Sequence, residues 1–279
     1  MHPAEPTLPP SAPTAPPAPA GDIPALHWSG TALDCSGCPH TALRAEGGCE
    51  PGRSCMQDAY ARRIDRFFRS HRHLAALHLD HPYFEVRAIA ARYVDVFQLG
   101  GMLADPDETV RLQVALRVPQ RLLQRLLKDP HREVRIRVAQ RLEAGELAGM
   151  LRDNDYEVRQ TVARRASVGL LTLMLHDADR QVRCEVARRV PLPALWTLVQ
   201  DNDAEVRRIV AERLPPALLS ALVGDPDWLV RWHVAQRAAP GLLPRLLQDL
   251  EPEVREVAAA RLAPVAAAFQ NQEAEAPHG

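Results

Sequence analysis

The chain has 279 residues, with 34 basic and 35 acidic side chains and a formal net charge of -1. Aromatic residues make up only 5% of it, and Leu, Ala, Val and Arg dominate, which favours helices over β-sheets. No apolar run approaches the roughly 18 residues that a membrane span needs, and the N-terminus lacks the pattern of a secretory signal. We therefore expect a cytoplasmic protein without membrane contact.

The two ends of the chain have compositions unlike the rest. Residues 1–24 carry nine prolines among Ala, Ser and Thr, and such a segment cannot bury enough apolar surface to order itself. We predict a disordered or polyproline-like arm there. Residues 264–279 are assigned to a C-terminal tail, whose last ten residues are polar and expected to fray.

Four cysteines crowd the next segment, residues 25–56. Cys35, Cys38, Cys49 and Cys55 form the pattern C-x2-C-x10-C-x5-C, and in a cytosolic protein such a group predicts a metal site. Gly37, Gly47, Gly48 and Gly52 allow the backbone to wrap closely around a centre. Four thiolates suit tetrahedral zinc or an iron–sulfur cluster, and the spacing leaves both open. His27 and His40 are alternative ligands.

Residues 57–79 predict a capping element. Tyr60, Ile64, Phe67 and Phe68 share one stripe of a helix, and leucines follow it. An irregular unit at this place would cover the open end of a repeat array.

Residues 80–263 contain eight repeats of 24 residues. Each repeat has a Val-Arg pair, beginning with Val86-Arg87 and ending with Val254-Arg255, and an Ala five residues after the Val. Such a fixed period predicts stacked helical units that bury their apolar faces against their neighbours.

Each repeat encodes a helix, a break and a second, short helix. Apolar residues at the Val and four, five and eight positions later share one helical face, as in Val158, Val162, Ala163 and Ala166. Asp five or three residues before the Val can cap this helix, and the sequence does not decide which one does so. After a Pro or Gly, about eight residues remain for the second helix. A piece this short is compatible with 3-10 geometry and requires stacking.

Two arginine rows run through the repeats, one directly after each Val and one seven residues after it. They could contact phosphates, or they could pair with acidic residues at neighbouring helix starts. Residues 80–261 carry 27 basic and 26 acidic side chains, a balance that disfavours nucleic acid as the partner. Cys184 lies at a variable repeat position, which indicates a surface or groove residue. His71, His73, His78 and His81 indicate a surface at a repeat junction.

The four-cysteine segment followed by 24-residue D-x-D-x-x-V-R-x-x-V-A-x-R repeats resembles the bacterial leucine-rich repeat variant (LRV) family with its iron–sulfur domain. The resemblance covers roughly residues 25–265. It implies an all-α, right-handed superhelical solenoid of alternating α and 3-10 helices. It also implies a [4Fe-4S] cluster on Cys35, Cys38, Cys49 and Cys55, with zinc as the alternative. HEAT-type repeats share the Asp-Pro-Asp and Val-Arg motifs, but their repeat units are longer.

No Ser-His-Asp grouping and no phosphate-binding glycine loop occurs in the sequence, so we do not expect an enzyme. The main hypothesis is a repeat scaffold that binds an unidentified protein partner, with a structural or redox-responsive cluster. The alternatives are an electron carrier that docks on a redox partner, and an arginine-lined nucleic-acid binder with a redox-sensing cluster.

Overall fold

The computed structural model describes residues 23–274. Most of the predicted arm, residues 1–22, and the last five residues of the predicted tail lie outside this range. By its internal contacts the chain divides into two units, up to Val114 and from Ala115 onwards. Each unit is helical, and within residues 23–274 the only β-type pairings are three isolated bridges near the N-terminus.

The α-helices between residues 23 and 274 are α1 Thr41–Ala45, α2 Ala61–Ser70, α3 Phe84–Tyr93, α4 Glu108–Ala115, α5 Gln120–Leu123, α6 Arg132–Arg141, α7 Tyr156–Arg165, α8 Val168–Leu171, α9 Arg180–Arg189, α10 Ala204–Arg213, α11 Trp228–Arg237, α12 Leu243–Leu246 and α13 Pro252–Ala274. The 3-10 helices of the same range are Arg72–His78, Val96–Ala104, Gln124–Leu126, Ala144–Met150, Thr172–Met174, Ala194–Gln200, Pro216–Leu222 and Pro240–Leu242. None of these helices combines the length and the apolar character required to cross a bilayer.

The first unit joins the cysteine segment to the start of the repeats. Ile64, Phe67 and Phe68 of α2 are buried, as the predicted stripe requires. Helix α2 packs against α3, the first helix with a Val-Arg pair. Helix α2 therefore lies against the first repeat helix, in the segment for which the sequence predicts a capping element.

In the second unit, each 24-residue repeat contributes one α-helix to a stack, and short second helices join successive α-helices. The repeat Val and the Ala five residues later are fully buried in each repeat from α6 to α11. Successive helices α6, α7, α9, α10 and α11 contact one another in order. The predicted alternation of α and 3-10 helices is confirmed.

The second helices depend on this stacking. Leu195 and Leu198 of the seven-residue 3-10 helix Ala194–Gln200 are each 2% exposed, and burying one leucine contributes roughly 2 kcal/mol. A helix of two turns gains too few internal hydrogen bonds to persist alone. Burial against the neighbouring α-helices therefore stabilises it.

The two repeat aspartates have different roles, which the sequence did not resolve. Asp203 is the N-cap of α10 and accepts a hydrogen bond from the Glu205 backbone N–H at 2.9 Å. Asp201 accepts from the Asp203 backbone N–H at 2.9 Å and fixes the turn before the helix. The N-cap is therefore the Asp three residues before the Val.

Two boundaries differ from the sequence-based expectation. Helix α13 continues to Ala274, beyond residue 263 where the repeats were expected to end. Pro82, Pro106, Pro130 and Pro226 each stand two residues before the first residue of their helix, although proline is favoured at the first helical position itself.

Candidate metal centre

The cysteine segment folds as a series of tight turns. Gly30, Gly47 and Gly52 have positive φ values, of 87°, 73° and 78°, a conformation that other residues adopt only with strain. Gly48 has a different reason to be glycine, because a Cβ there would lie 3.2 Å from both the His71 ring and the Leu43 carbonyl oxygen. The expected close wrapping is thus present on both sides of Cys49. Gly37 is not among the positive-φ residues.

Local hydrogen bonds hold the Cys35–Cys38 turn. The Thr41 hydroxyl oxygen lies 2.7 Å from the backbone carbonyl oxygens of both Cys35 and Cys38. The backbone N–H of His40 points to the Cys38 Sγ at 3.5 Å. Such N–H···S contacts stabilise negative charge on a sulfur, which a metal-binding thiolate carries.

The structure brings the four predicted ligands into one neighbourhood. Burial raises the pKa of the Cys49 thiol, and the nearby Cys38 and Cys35 raise it further. Burial raises the pKa of Cys55 to about 11, with smaller contributions from Asp58, Cys38 and Cys49. Each of these two thiols is therefore within electrostatic reach of others in the set. As thiolates they require a nearby positive centre.

Four thiolates can hold either of two kinds of metal centre. Four thiolates bound at about 2.3 Å to one tetrahedral zinc ion must lie within about 4 Å of each other. In the described part of the chain, no three Cys, His, Asp or Glu side chains are gathered closely enough to hold a single metal ion. The four cysteines supply the thiolates that either centre requires.

The two candidate histidine ligands have other partners. His40 Nε2 lies 2.9 Å from His78 Nε2, and burial is the main reason that the pKa of His40 is lowered. His27 Nδ1 lies 2.7 Å from the Ser29 hydroxyl. The cysteines therefore remain the expected ligands.

Two of the first four histidines that follow the cysteines, His71 and His78, connect the cysteine segment to the capping element. His71 Nε2 contacts the Gly48 carbonyl oxygen at 2.7 Å, next to Cys49. His78 is buried, which lowers its pKa to about 4 and keeps its ring neutral at pH 7. We expected a surface at a repeat junction from these residues. His71 and His78 instead fix the cysteine segment to the helices that follow it, a role that spacing alone could not reveal.

Comparison with known proteins adds the family. The family model described as "LRV protein FeS4 cluster" matches residues 25–77, and the one described as "Leucine rich repeat variant" matches residues 156–179 and 204–227. A solved structure of a leucine-rich repeat variant with a novel repetitive structural motif is 44% identical. It aligns over 82% of this chain and 99% of its own, with a TM-score of 0.78. The chain belongs to the LRV family.

A curated relative of this LRV protein covers less of it. An uncharacterized 27.7 kDa protein of Rhodobacter capsulatus, from the region 3′ of nifB, is 48% identical over 101 residues. That match spans 36% of the present chain and 41% of the relative. The N-terminal module and the repeats thus make this an LRV protein with an iron–sulfur domain.

The first arginine row of the LRV repeats forms the predicted ladder. In the second unit the five guanidiniums from Arg135 to Arg231 each bind an Asp carboxylate 18 residues later through two nitrogens, with Nε–Oδ2 distances of 2.7–2.8 Å. The Nη1 of each also donates to the carbonyl oxygen of the Asp six residues earlier, as Arg183 does to Asp177 at 2.8 Å. Arg87 and Asp105 make the same pair in the first unit.

The second arginine row does not follow the expected pairing. Arg189 Nη1 donates to the Ala163 carbonyl oxygen at 2.6 Å, and Arg213 Nη1 donates to that of Ala187 at 2.5 Å. These acceptors are backbone groups in the last turn of the preceding repeat helix. The prediction of ion pairs with carboxylates is therefore right for the first row and wrong for the second.

The expectation for Cys184 is also wrong. Its side chain is 2% exposed inside α9, and burial raises the pKa of the thiol to about 11. The same repeat position is buried where it holds Ala88 or Ile136 and half-buried where it holds Gln160 or Arg208. A small apolar thiol fits the buried form of this position.

Proposed function

We propose that this LRV protein is a non-enzymatic repeat scaffold whose N-terminal module holds a [4Fe-4S] cluster on Cys35, Cys38, Cys49 and Cys55. The observation that carries this proposal is the gathering of four thiols in glycine-shaped loops. The family match to an FeS4 cluster domain supports the same centre. Within the described residues the five cysteines are free thiols, which suits a cytoplasmic, reducing environment.

A bound cluster would supply one-electron redox chemistry, while the chain sets its surroundings. The His40 backbone N–H donates to Cys38 Sγ, and donors to a cluster sulfur favour the reduced state. Cys35, Cys38 and Cys49 are half-exposed, whereas Cys55 is buried. One side of the centre is therefore close to solvent.

Iron and sulfide analysis tests the cluster. Protein purified without oxygen should contain about four iron and four sulfide per chain and absorb near ~400 nm. Dithionite reduction should produce an EPR signal of a single reduced cluster. One zinc per chain without sulfide would overturn the cofactor assignment.

The scaffold role concerns a protein partner on the second unit. Its recurring Val and Ala side chains are buried, and the arginines of the first row are paired with aspartates, so these groups are not available to a protein partner. Trp196 and Trp228 remain 42% and 39% exposed, and exposed tryptophans are frequent anchors of protein interfaces. We place the partner contact on these repeat-specific residues.

Anaerobic co-purification tests this contact. A specific partner should be retained by the wild type and by Leu250→Ala, whose site is 90% exposed, and lost by Trp196→Ala combined with Trp228→Ala. Equal retention by all three proteins contradicts the assignment.

The half-exposed cysteines also favour a second candidate, an electron carrier. This function requires a cluster that cycles reversibly. Repeated reduction and reoxidation with unchanged absorbance would support it, and irreversible bleaching on reduction would exclude it.

A further inference from the structure

From Arg141 onwards, the second arginine row forms a distinct surface, which we call the basic edge. It consists of Arg141, Arg165, Arg189, Arg213, Arg237 and Arg261. Each is half-buried, and each Nη1 donates to a backbone carbonyl oxygen 26 residues earlier at 2.5–2.8 Å. Because the repeat helices contact one another in sequence order, these groups recur at the same place in successive repeats.

The basic edge differs from the first row in its counter-charges. In the first row Arg207 has a carboxylate at 2.7 Å, and its Nε, Nη1 and Nη2 all have acceptors. Across the described side chains, by contrast, no carboxylate forms an ion pair with the six arginines of the basic edge. Arg165 and Arg213 make their hydrogen bonds through Nη1, which leaves the Nε and Nη2 donors for another acceptor. Arg189 also uses Nη2, which donates to the Ala166 carbonyl oxygen at 2.8 Å, so this arginine keeps Nε alone.

The helix ends offset only part of this charge. A helix C-terminus carries the equivalent of about half a negative charge, so each repeat retains about half a positive charge at this edge. Neighbouring side chains add to it, because Arg164 and Arg188 share the single carboxylate of Glu185 at 3.0 and 3.1 Å. The edge is thus a row of fixed, incompletely neutralised guanidiniums.

The nearly balanced total charge of the second unit does not reveal the local positive charge of the basic edge. Residues 115–263 carry 24 basic and 20 acidic side chains, and many of the acidic ones are the aspartates before the helix N-termini. Those aspartates cap the helix N-termini or form ion pairs with the first arginine row. The basic edge lies at the other, C-terminal ends of the repeat helices, so the balanced total does not by itself argue against an anionic ligand there.

We propose that the basic edge binds the phosphodiester backbone of a nucleic acid. A guanidinium with free Nε and Nη2 donors presents two parallel N–H groups, which match two phosphate oxygens. A row with such a group in most repeats suits a polymer with one charge per unit better than the irregular charges of a folded acidic protein. Phosphate contacts of this kind position a chain without reading its bases, so we expect binding that does not depend on sequence.

The experiment uses the full-length, cluster-containing protein and fluorescence anisotropy with a labelled 30-bp DNA duplex and a 30-nucleotide single strand. We expect binding of at least one probe at 50 mM salt and weakening toward 200 mM, with a log–log slope of about -3 to -6 for three to six phosphate contacts. Absence of binding to both probes at 50 mM salt overturns the proposal.

Two double variants then locate the site. Gln140 and Gln236 are exposed in the last turns of α6 and α11, beside Arg141 and Arg237. Gln140→Glu with Gln236→Glu should lower affinity at least fivefold and make the salt slope shallower. The control, Gln200→Glu with Gln248→Glu, adds the same charge at exposed sites just before Asp201 and Asp249, and should bind within twofold of wild type. Equal losses in both variants overturn the assignment to this edge.

Competitors separate the ligand classes. Unlabelled duplex or single-stranded DNA should displace the labelled probe, whereas poly-glutamate and anionic lipid vesicles should do so at least tenfold less well per charge. Equal competition by poly-glutamate or by vesicles overturns the phosphodiester assignment. None of these outcomes depends on the protein partner proposed above.

Discussion

The guanidinium of Arg183 binds the carboxylate of Asp201, 18 residues later, through two hydrogen bonds of 2.8 and 3.1 Å. The Arg183 side chain is 13% exposed and that of Asp201 is 6% exposed. The pair therefore connects one repeat to the next in a place that water reaches poorly. Asp201→Asn should destabilise the protein by on the order of 2–4 kcal/mol, because it leaves a largely buried arginine without its counter-charge. Urea unfolding of the variant and the wild type measures this difference. A loss below about 0.5 kcal/mol would show that the ladder contributes little.

A second prediction separates the two aspartates of the same repeat. Asp203 caps α10 and is half-exposed, so Asp203→Ala should cost about 1 kcal/mol through the lost cap. This is less than the expected cost of Asp201→Asn. The same urea experiment compares them, and a larger loss at Asp203 would reverse the roles assigned here.

These two positions also show how far sequence-based reasoning reaches. The 24-residue period was sufficient to predict the number of repeats and the buried face of each repeat helix. The Val and Ala residues recur at a spacing that places them on the same side of a helix. From the spacing alone, Asp201 and Asp203 are equally good candidates for the N-cap, since both precede the helix by a few residues. Only the path of the turn decides which carboxylate meets the free N–H groups.

The second arginine row marks another limit. Arg189 and Arg213 bind backbone carbonyl oxygens, and every residue carries such a group, so no sequence pattern identifies the acceptor. The four cysteines were predictable because metal ligands are restricted to few residue types. The contact between His40 and His78 was not, because it joins segments 38 residues apart across a fold specific to this chain.

The ladder also predicts how stability responds to acid. The hydrogen bond from Arg231 is the main reason that the pKa of Asp249 is lowered below its usual value. A carboxyl whose pKa is lower in the folded than in the unfolded state stabilises the fold above the unfolded pKa of about 3.9. That contribution is lost as the pH falls through the folded pKa. Asp249→Asn should therefore be destabilised at pH 7 and approach the wild type at pH 2–3. Thermal melts across this range test the convergence, and a constant difference at every pH would contradict it.

Packing between repeats can be tested at Ala163. The side chain is fully buried in α7, and the Ala163 carbonyl oxygen accepts from Arg189 of the next repeat. Ala163→Leu should cost about 1–3 kcal/mol, because the added atoms have no space between stacked helices. Ala148→Leu, at an exposed position of the Ala144–Met150 helix, is the control and should change stability by less than about 0.5 kcal/mol. Equal melting of both variants and the wild type would show that Ala163 does not limit the distance between repeats.

Removal of one cysteine tests whether the metal centre and the repeats are separable. Cys38→Ser should lose most of the bound iron, since it removes one of four expected ligands and the acceptor of the His40 N–H. The second unit contains none of these ligands and is held by its own buried Val and Ala side chains, so the far-ultraviolet circular dichroism should keep its helical intensity. Cys184→Ser is the matched control, because this cysteine is buried in α9 and should not affect iron content. Iron assays of the three proteins, alongside their circular dichroism, give the result. If Cys38→Ser retains its iron, or if Cys184→Ser loses as much iron, the assignment of the four-cysteine site is wrong. A loss of helical signal in Cys38→Ser alone would mean that folding of the repeats depends on the cluster.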